Sequence, residues 1–471
     1  MEKTTRRRVS ILISALLLTL TCVLSLFAGA ASAAESFNIT RLTTDGDNHH
    51  PQVSGDRVVW ESFDGNDREI FTWTPVEGLV QLTVNDYDDS TPRVSDDRVV
   101  WCGSDGDYPD IFTWMPTRNV IRVTDRDRYV SNPQVSGDRV VWEGIEGGLF
   151  QIFTWTPGEE VIQVSESGCS NSHATVSGDR IVWQGADGND YEIFTWTPTD
   201  GVVQVTDNGY QDTWPQVSGD RIVWKGYEGG KWRAFTWTPT GGIIRLMAEG
   251  EVEHEVQVSG DRVVWESFDG NDREIFTWTP SGGVVQLTAN DQYDGNPQVS
   301  GDRVVWESFD GNDREIFTWT PSGGVVQLTA NDQYDGNPQV SGHRIVWAGN
   351  GAESPDVFVA TRDFSDVPVG HPYREAVMGM ADRGIISGYT SGTFGLDDPV
   401  KRAQFAKMIV GTLGITPGTS TATRFTDLGA PDAKGYPTSS CRRPTRTTSP
   451  KAPTSARPYS APGTPSAETR W

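Results

Sequence analysis

The stretch that decides the fold is residues 257–297, QVSGDRVVWESFDGNDREIFTWTPSGGVVQLTANDQYDGNP, which recurs unchanged at residues 298–338. Diverged copies of this 41-residue unit fill most of the chain, and two sets of tryptophans keep its spacing. The sets are Trp60, Trp101, Trp142, Trp183, Trp224, Trp265, Trp306 and Trp347, and Trp73, Trp114, Trp155, Trp196, Trp237, Trp278 and Trp319. A period of about 40 residues containing several short strands is typical of β-propeller blades.

Each unit predicts four strands, which in residues 257–297 are Gln-Val-Ser, Arg-Val-Val-Trp, Glu-Ile-Phe-Thr-Trp and Val-Val-Gln-Leu-Thr. The two middle strands are runs of apolar residues without strict alternation. A sheet that is covered on both faces requires such runs, and stacked blades are covered on both faces. The repeated Trp and the Arg of Ser-Gly-Asp-Arg are therefore expected to pack between blades, with the Arg bridging to turn acids or backbone carbonyls.

The two ends of the repeat predict a closed ring. Residues 37–43 match the fourth strand alone, whereas residues 340–361 supply the first three strands and then stop. The orphan strand at the start would complete the last unit, and a ring clasped in this way needs no capping repeats. Seven whole units and one split unit predict an all-β, eight-bladed β-propeller, with seven blades as the alternative count.

The repeat resembles the TolB-like β-propeller family over residues 37–363. The matching motifs are Pro-x-Val-Ser-x-Asp, Val-Val-Trp, the Asp-Gly-Asn-Asp turn before Ile-Phe, and Gln-Leu-Thr. The resemblance implies the fold. It leaves function open, because propellers of this kind serve as docking platforms, as receptors and occasionally as enzymes.

Acidic residues are expected to gather on one face of the ring. The Asp-Gly-Asn-Asp turns and the links between blades share that face, whereas the opposite face carries Ser-Gly-Asp-Arg turns in which acid and base cancel. No cofactor is expected. Carboxylates are hard ligands that suit calcium, but two units replace the acidic turn with residues 146–148 and 228–230, Glu-Gly-Gly. A metal in every blade is thus excluded, and calcium in some blades stays open.

Aromatic residues that break the repeat on this acidic face are the candidate ligand contacts, because aromatic rings on a polar surface suit sugars and peptide side chains. They are Tyr87, Tyr108, Tyr129, Tyr210, Trp214, Trp232, Tyr293 and Tyr334. No catalytic residues are assigned, since no histidine recurs in every unit and no Gly-x-Ser-x-Gly motif is present. Binding is therefore favoured over catalysis.

Residues 364–416 resemble an S-layer homology module. The motifs are Phe-Ser-Asp-Val at 364–367, Gly-Ile-Ile-Ser-Gly-Tyr at 384–389 and Lys-Arg-Ala-Gln at 401–404, with a helix expected to begin at Pro372 and to bury Ala376, Val377, Met380 and Ala381. The resemblance implies non-covalent attachment to a secondary cell-wall polysaccharide. The implied glycan-binding residues are Asp366, Gly388, Arg402 and Gln404. The corresponding family motif is Thr-Arg-Ala-Glu, so Lys401 and Gln404 differ from it and Arg402 is kept.

The remaining segments predict export. Residues 1–33 have the basic, apolar and Ala-Ser-Ala regions of a signal peptide, whose removal would leave no membrane insertion. Sec and twin-arginine export both stay open. Residues 417–437 begin a second, truncated module, and residues 438–471 form a low-complexity tail expected to be disordered, which suggests a frameshift.

The net charge of −25 argues against nucleic-acid partners. The sequence thus predicts a secreted protein of the cell wall or cell surface whose propeller is a platform for an unknown protein or glycan ligand. The alternatives are an extracellular carbohydrate-active enzyme, a lyase or hydrolase with its site in the propeller channel, and a purely structural envelope protein.

Overall fold

The structure is a computed structural model of the whole chain. It describes residues 37–382, Phe394 and Gly395, except residues 45, 105–107, 125–127, 167, 247–250, 253, 322, 351–353, 363, 365 and 368–370. The predicted signal peptide, the truncated second module and the low-complexity tail lie outside the described residues.

The strands follow the 41-residue repeat. In chain order they are β1 (Phe37–Arg41); β2 (Asn48–Ser54), β3 (Arg57–Phe63), β4 (Arg68–Thr74) and β5 (Gly78–Gln81) in blade 1; β6 (Asp89–Ser95), β7 (Arg98–Gly103), β8 (Asp110–Met115) and β9 (Arg118–Arg122) in blade 2; β10 (Val130–Ser136), β11 (Arg139–Glu146), β12 (Leu149–Trp155) and β13 (Ile162–Gln163) in blade 3; and β14 (Asn171–Ser177), β15 (Arg180–Ala186), β16 (Tyr191–Thr197) and β17 (Gly201–Gln204) in blade 4.

The second half of the ring continues the pattern. Its strands are β18 (Asp212–Ser218), β19 (Arg221–Glu228), β20 (Lys231–Thr238) and β21 (Gly242–Arg245) in blade 5; β22 (Gln257–Ser259), β23 (Arg262–Phe268), β24 (Arg273–Thr279) and β25 (Gly283–Gln286) in blade 6; β26 (Asp294–Ser300), β27 (Arg303–Phe309), β28 (Arg314–Thr320) and β29 (Gly324–Gln327) in blade 7; and β30 (Gly336–Ser341), β31 (Arg344–Gly349) and β32 (Asp356–Arg362) in blade 8.

Within the described residues these strands form eight four-stranded antiparallel sheets. Seven sheets follow chain order, and the eighth has the order β1-β32-β31-β30. In that sheet Phe37 pairs with Arg362 and Arg41 pairs with Phe358. The predicted eight-bladed propeller with a split blade is therefore confirmed. The first strands of successive blades contact one another around the ring, including β30 with β2, so they surround the central axis.

Burial falls from the middle of each blade to its rim. The second strands are almost completely buried, whereas the short fourth strands are exposed along most of their length. The first tryptophan of each unit lies in the second strand and is at most 2% exposed. In blade 7, Trp306 stacks on Phe317 with ring centres 5.9 Å apart, and its indole Nε1 donates to Asp294 at 3.0 Å. The expectation that the repeated Trp packs inside the fold is confirmed.

The repeated arginines link each blade to the next on one face of the ring, here called the ladder face. The ion pairs are Arg57–Asp97, Arg98–Asp138, Arg139–Asp179, Arg180–Asp220, Arg221–Asp261, Arg262–Asp302 and Arg344–Asp56. The last pair joins blade 8 to blade 1. The arginine of blade 7, Arg303, faces His343 in the place of the usual aspartate of blade 8. Its guanidinium lies 5.3 Å from the ring centre of Phe37 in β1. The predicted bridging role of the arginines is confirmed.

The described part of the C-terminal segment contains one helix, α1 (Arg374–Asp382). It begins close to the predicted position. Val377 and Met378 are buried in a cluster with Phe364 and Val367, but Ala376 is exposed, so its predicted burial is wrong. Met378, which was not predicted to lie on the buried face, is 1% exposed in that cluster.

Candidate functional site

The face opposite the ladder face, here called the turn face, carries a ring of irregular backbone around the axis. Each first strand except the shortest one has a shift of register near its start. One residue at each shift adopts a left-handed conformation, with φ between 50° and 58°. These residues, here called the bulge ring, are His50, Thr91, Asn132, His173, Trp214, Asn296 and Asn337.

The bulge ring has a shared backbone and varied side chains. Five of its backbone N–H groups, those of Thr91, His173, Trp214, Asn296 and Asn337, donate to a side chain of the preceding blade. Thr91 donates to Glu61 Oε2 at 2.7 Å, and Trp214 donates to Gln184 Oε1 at 2.9 Å. The side chains at the shift differ from blade to blade, although the backbone conformation is shared. Of these residues, the sequence analysis named only Trp214 as a candidate ligand contact. The signal that was available is that seven blades have a polar or aromatic residue at this one position of the repeat.

Blades 4 and 5 form an open groove on the turn face. It is lined by Asn189, Asp190, Tyr210, Gln211, Tyr227 and Trp232. The rings of Tyr227 and Trp232 lie 5.1 Å apart. Lys225 Nζ lies 5.1 Å from the ring centre of Trp232 and 5.8 Å from that of Trp214. The ring of His173 lies 3.9 Å from Trp214, so aromatic side chains continue from the groove to the bulge ring.

Burial, followed by the nearby carboxylate of Asp212, raises the pKa of Tyr210 to about 12. Its hydroxyl therefore stays protonated at neutral pH and can donate a hydrogen bond to a ligand.

The structure divides the predicted aromatic contacts into three groups. Tyr210, Trp214 and Trp232 meet at blades 4 and 5. Tyr293 and Tyr334 flank the guanidinium of Arg314 at 4.8 and 5.8 Å and are only partly exposed. The others are separate, exposed side chains, with exposed fractions of 47% for Tyr87, 47% for Tyr108 and 40% for Tyr129. Their role as ligand contacts remains a prediction.

Histidines at the channel mouth pair with buried glutamates. His50 Nδ1 lies 3.2 Å from Glu61 Oε1, and His254 Nε2 lies 3.4 Å from Glu266 Oε1. Burial alone would raise the pKa of Glu61, but the hydrogen bonds with His50 and with the N–H of Thr91 outweigh it and lower that pKa. Glu61 is thus held as a carboxylate beside an imidazole.

Carboxylates cluster at the turns between second and third strands of blades 1, 4, 6 and 7. Burial, with a smaller contribution from nearby Asp carboxylates, raises the pKa of Glu192 and that of Glu274 to about 7. Buried acids of this kind are the groups in the described residues that suit a hard cation.

Of the residues implied to bind cell-wall glycan, Asp366 lies in the described part of the chain, and Gly388, Arg402 and Gln404 lie outside it. Both carboxylate oxygens of Asp366 accept backbone N–H groups at 2.6 Å, from Phe394 and Gly395. This carboxylate positions a turn of the module. Direct contact of Asp366 with glycan remains a prediction.

Comparison with protein families supports the C-terminal assignment. Residues 363–406 match the family model described as "S-layer homology domain". The chain is thus an eight-bladed β-propeller protein that carries an S-layer homology domain, which indicates a surface protein anchored at the cell wall. The described residues include no helix with the length and apolarity needed to cross a membrane. No curated protein sequence matches the chain at a significant level.

Solved structures resemble the chain in fold. A prolyl endopeptidase has a TM-score of 0.48 at 14% identity, over 73% of this chain and 59% of that one. The computationally designed Ika8 protein has a TM-score of 0.47 at 17% identity, over 70% and 99%. The propeller domain of the Trilobed protease from Pyrococcus furiosus, described as having an open velcro topology, has a TM-score of 0.44 at 14% identity, over 61% and 97%.

Proposed function

We propose that this chain is a glycan-binding protein of the cell surface. In this proposal the S-layer homology domain holds the protein on a secondary cell-wall polysaccharide, and the propeller presents a second glycan site at the groove of blades 4 and 5. The observation that carries the proposal is that groove, where Tyr210, Tyr227 and Trp232 share one surface with Asn189 and Gln211.

The chemistry of the groove suits a neutral or amino sugar. Aromatic faces pack against the apolar face of a sugar ring, and amides donate to and accept from its hydroxyl groups. The net charge of −25 repels polyanions over long distances, whereas Asp190 at the groove favours a cationic substituent. A protein ligand with exposed basic and aromatic residues would use the same features and is the other binding alternative.

Two substitutions in the full chain separate the two proposed sites. Arg402→Ala should abolish co-sedimentation with purified cell-wall sacculi, whereas Trp232→Ala should leave it unchanged. Trp232→Ala should instead weaken binding of soluble wall-derived oligosaccharides about tenfold, which corresponds to about 1.4 kcal/mol. The matched control is Phe63→Ala, an exposed aromatic of blade 1 outside the groove. Equal oligosaccharide binding by the Trp232 and Phe63 variants would contradict the groove assignment.

A carbohydrate-active enzyme is the second candidate, and the paired His50 and Glu61 at the channel mouth favour it. An imidazole 3.2 Å from a carboxylate can move a proton in lyase or hydrolase chemistry. Incubation with wall polysaccharide, followed by measurement of reducing ends and of unsaturated sugars by absorbance, tests this function. Release of sugar that is lost in His50→Asn would replace the binding proposal with the enzyme.

A further inference from the structure

Four clusters of acidic residues recur on the turn face within the described part of the chain. In each cluster three carboxylate oxygens lie within 4.8 Å of one another. The clusters are Asp64, Asp67 and Glu69 in blade 1; Asp187, Glu192 and Asp207 in blade 4; Asp269, Asp272 and Glu274 in blade 6; and Asp310, Asp313 and Glu315 in blade 7. All four belong to blades with an Asp-Gly-Asn-Asp turn, here called the acid-turn blades.

Each cluster contains a fully buried glutamate with an unpartnered oxygen. Glu69, Glu192, Glu274 and Glu315 are 0% exposed. In Glu69, Oε1 accepts the N–H of Asn85 at 2.7 Å, while Oε2 has no hydrogen-bond partner. The corresponding Oε2 atoms of the other three glutamates are also unpartnered, as are both carboxylate oxygens of Asp67, Asp272 and Asp313. Burial of a carboxylate without a compensating positive charge is costly, so a cation bound beside these oxygens would stabilise the folded state.

In the other blades, the residue at the position of Glu69 either is an acid that pairs with an arginine of the chain or is not an acid. At the position of Glu69, blade 2 has Asp110, which pairs with Arg122, and blade 8 has Asp356, which pairs with Arg41. Both arginines come from the fourth strand of their blade.

Blade 3 has a neutral residue at this position, Gln151, whose Oε1 accepts from Ser165 and Asn171. Blade 5 has a cation there, Arg233. In the acid-turn blades the fourth-strand position of Arg122 is instead a neutral glutamine, as in Gln81 and Gln204. A buried acid at the position of Glu69 thus lacks an arginine in the fourth strand only in the acid-turn blades, whereas blade 3, with Gln163 in its fourth strand, has the neutral Gln151.

We infer that each acid-turn blade binds one divalent cation of the calcium type between its Asp-Gly-Asn-Asp turn and its buried glutamate. Calcium takes six to eight oxygen ligands in flexible geometry, and three carboxylates leave room for backbone carbonyls and water. In blade 4 the acidic turn adjoins the groove, since Asp190, which shares that turn with Asp187 of the cluster, lines the groove and has an unpartnered Oδ1. The inference concerns residues other than the aromatic ones and does not depend on the proposed glycan site.

A shared proton is the competing explanation. Each buried glutamate lies near an aspartate at the start of the next blade, as Glu69 lies near Asp89 and Glu192 near Asp212. A proton held between two such carboxylates would remove the unpaired charge without a metal. The two explanations differ in whether the protein takes up calcium at neutral pH.

Calcium uptake by the full chain tests the inference. The protein is stripped with EDTA, dialysed to equilibrium against Ca²⁺ at pH 7.5, and analysed for bound calcium per chain. Glu274→Gln should bind one calcium fewer than the unaltered chain, and Glu274→Gln with Glu315→Gln should bind two fewer. The exposed Glu160→Gln in blade 3 is the matched control and should lose none. Glutamine is tolerated at this position, because blade 3 carries Gln151 there.

The thermal midpoint provides a second measurement. Calcium should raise the midpoint of the unaltered chain, because a ligand that binds the folded state stabilises it. The rise should be smaller in the double variant. Without calcium the double variant should melt no lower than the unaltered chain, since two unpaired buried charges are gone. Absence of bound calcium, or an unchanged calcium count in both variants, would overturn the inference and favour the shared proton.

Discussion

The two faces of the propeller use the same repeat in different ways. On the ladder face, the arginine of every blade but blade 7 pairs with the aspartate of the next blade, and Arg344 with Asp56 joins blade 8 to blade 1. On the turn face, the corresponding positions differ from blade to blade: buried glutamate in the acid-turn blades, an arginine-paired aspartate in blades 2 and 8, and the aromatic groove at blades 4 and 5. The repeated arginines of the ladder face therefore hold the ring together. Ligand binding is expected at the turn-face positions that differ from blade to blade.

The largest expected difference is between two tryptophans, one at a repeated buried position and one at a variable position of the turn face. Trp306→Ala should lower the free energy of unfolding by about 4 kcal/mol, because it leaves a large cavity in a buried strand. Trp214→Ala should lower it by less than about 1 kcal/mol, because Trp214 is 37% exposed in the bulge ring. Urea unfolding followed by circular dichroism measures both. Similar losses in the two variants would contradict the division between structural and variable positions.

The ring closure gives the next largest effect. Arg344 is 5% exposed, pairs with Asp56 and donates to the carbonyl of Gly55 at 3.1 Å. Arg344→Ala should cost about 2 kcal/mol, since it removes a buried guanidinium and its charge-assisted hydrogen bonds at the point where the ring is clasped. Arg180→Ala, within the ring, should cost about 1 kcal/mol because Asp220 stays well exposed. Equal urea midpoints for the two variants would show that the Arg344–Asp56 pair stabilises the ring no more than the Arg180–Asp220 pair does.

The sequence predicted the repeated parts of the molecule and missed the irregular ones. The spacing of the tryptophans predicted the blades, and the orphan strand at Phe37 predicted the closure, because both depend on patterns of apolar residues. The bulge ring was missed, since a left-handed residue such as Thr91 or His173 has no distinctive residue type.

The meeting of Tyr210 with Trp232 was also invisible in the sequence. It depends on how neighbouring blades pack, and residues from blades 4 and 5 share one groove. The acidic turns were recognised, but not the buried glutamate that distinguishes them, because its burial and its unpartnered oxygen are properties of the folded ring.

The turn face should make stability depend on pH when calcium is removed by EDTA. The pKa of Glu192 is raised from 4.5 to about 7, chiefly by burial and also by the carboxylates of Asp212 and Asp190, against the hydrogen bonds from Asn208 and Thr206. The folded protein then holds a proton that the unfolded chain releases. This stabilisation is full below pH 4.5 and is lost as the pH rises through about 7.

The measurement is the thermal midpoint in EDTA at pH 5 and pH 7.5. The drop between these values should be smaller in Glu192→Gln, whereas Asp220→Asn on the ladder face should leave it unchanged. A drop of the same size in Glu192→Gln and in the unaltered chain would show that this buried acid does not control the pH dependence.

The smallest expected effect lies at a partly exposed ion pair on the ladder face. Glu77 accepts from Arg57 at 3.0 Å, but its side chain is 41% exposed, and Arg57 also binds Asp97 at 3.1 Å. Glu77→Gln should therefore cost about 0.5 kcal/mol or less, and the cost should shrink in high salt because solvent screens exposed charges. Urea unfolding at low and high ionic strength measures it. A loss above about 2 kcal/mol would mean that Glu77, and not the aspartate of the next blade, is the main partner of Arg57.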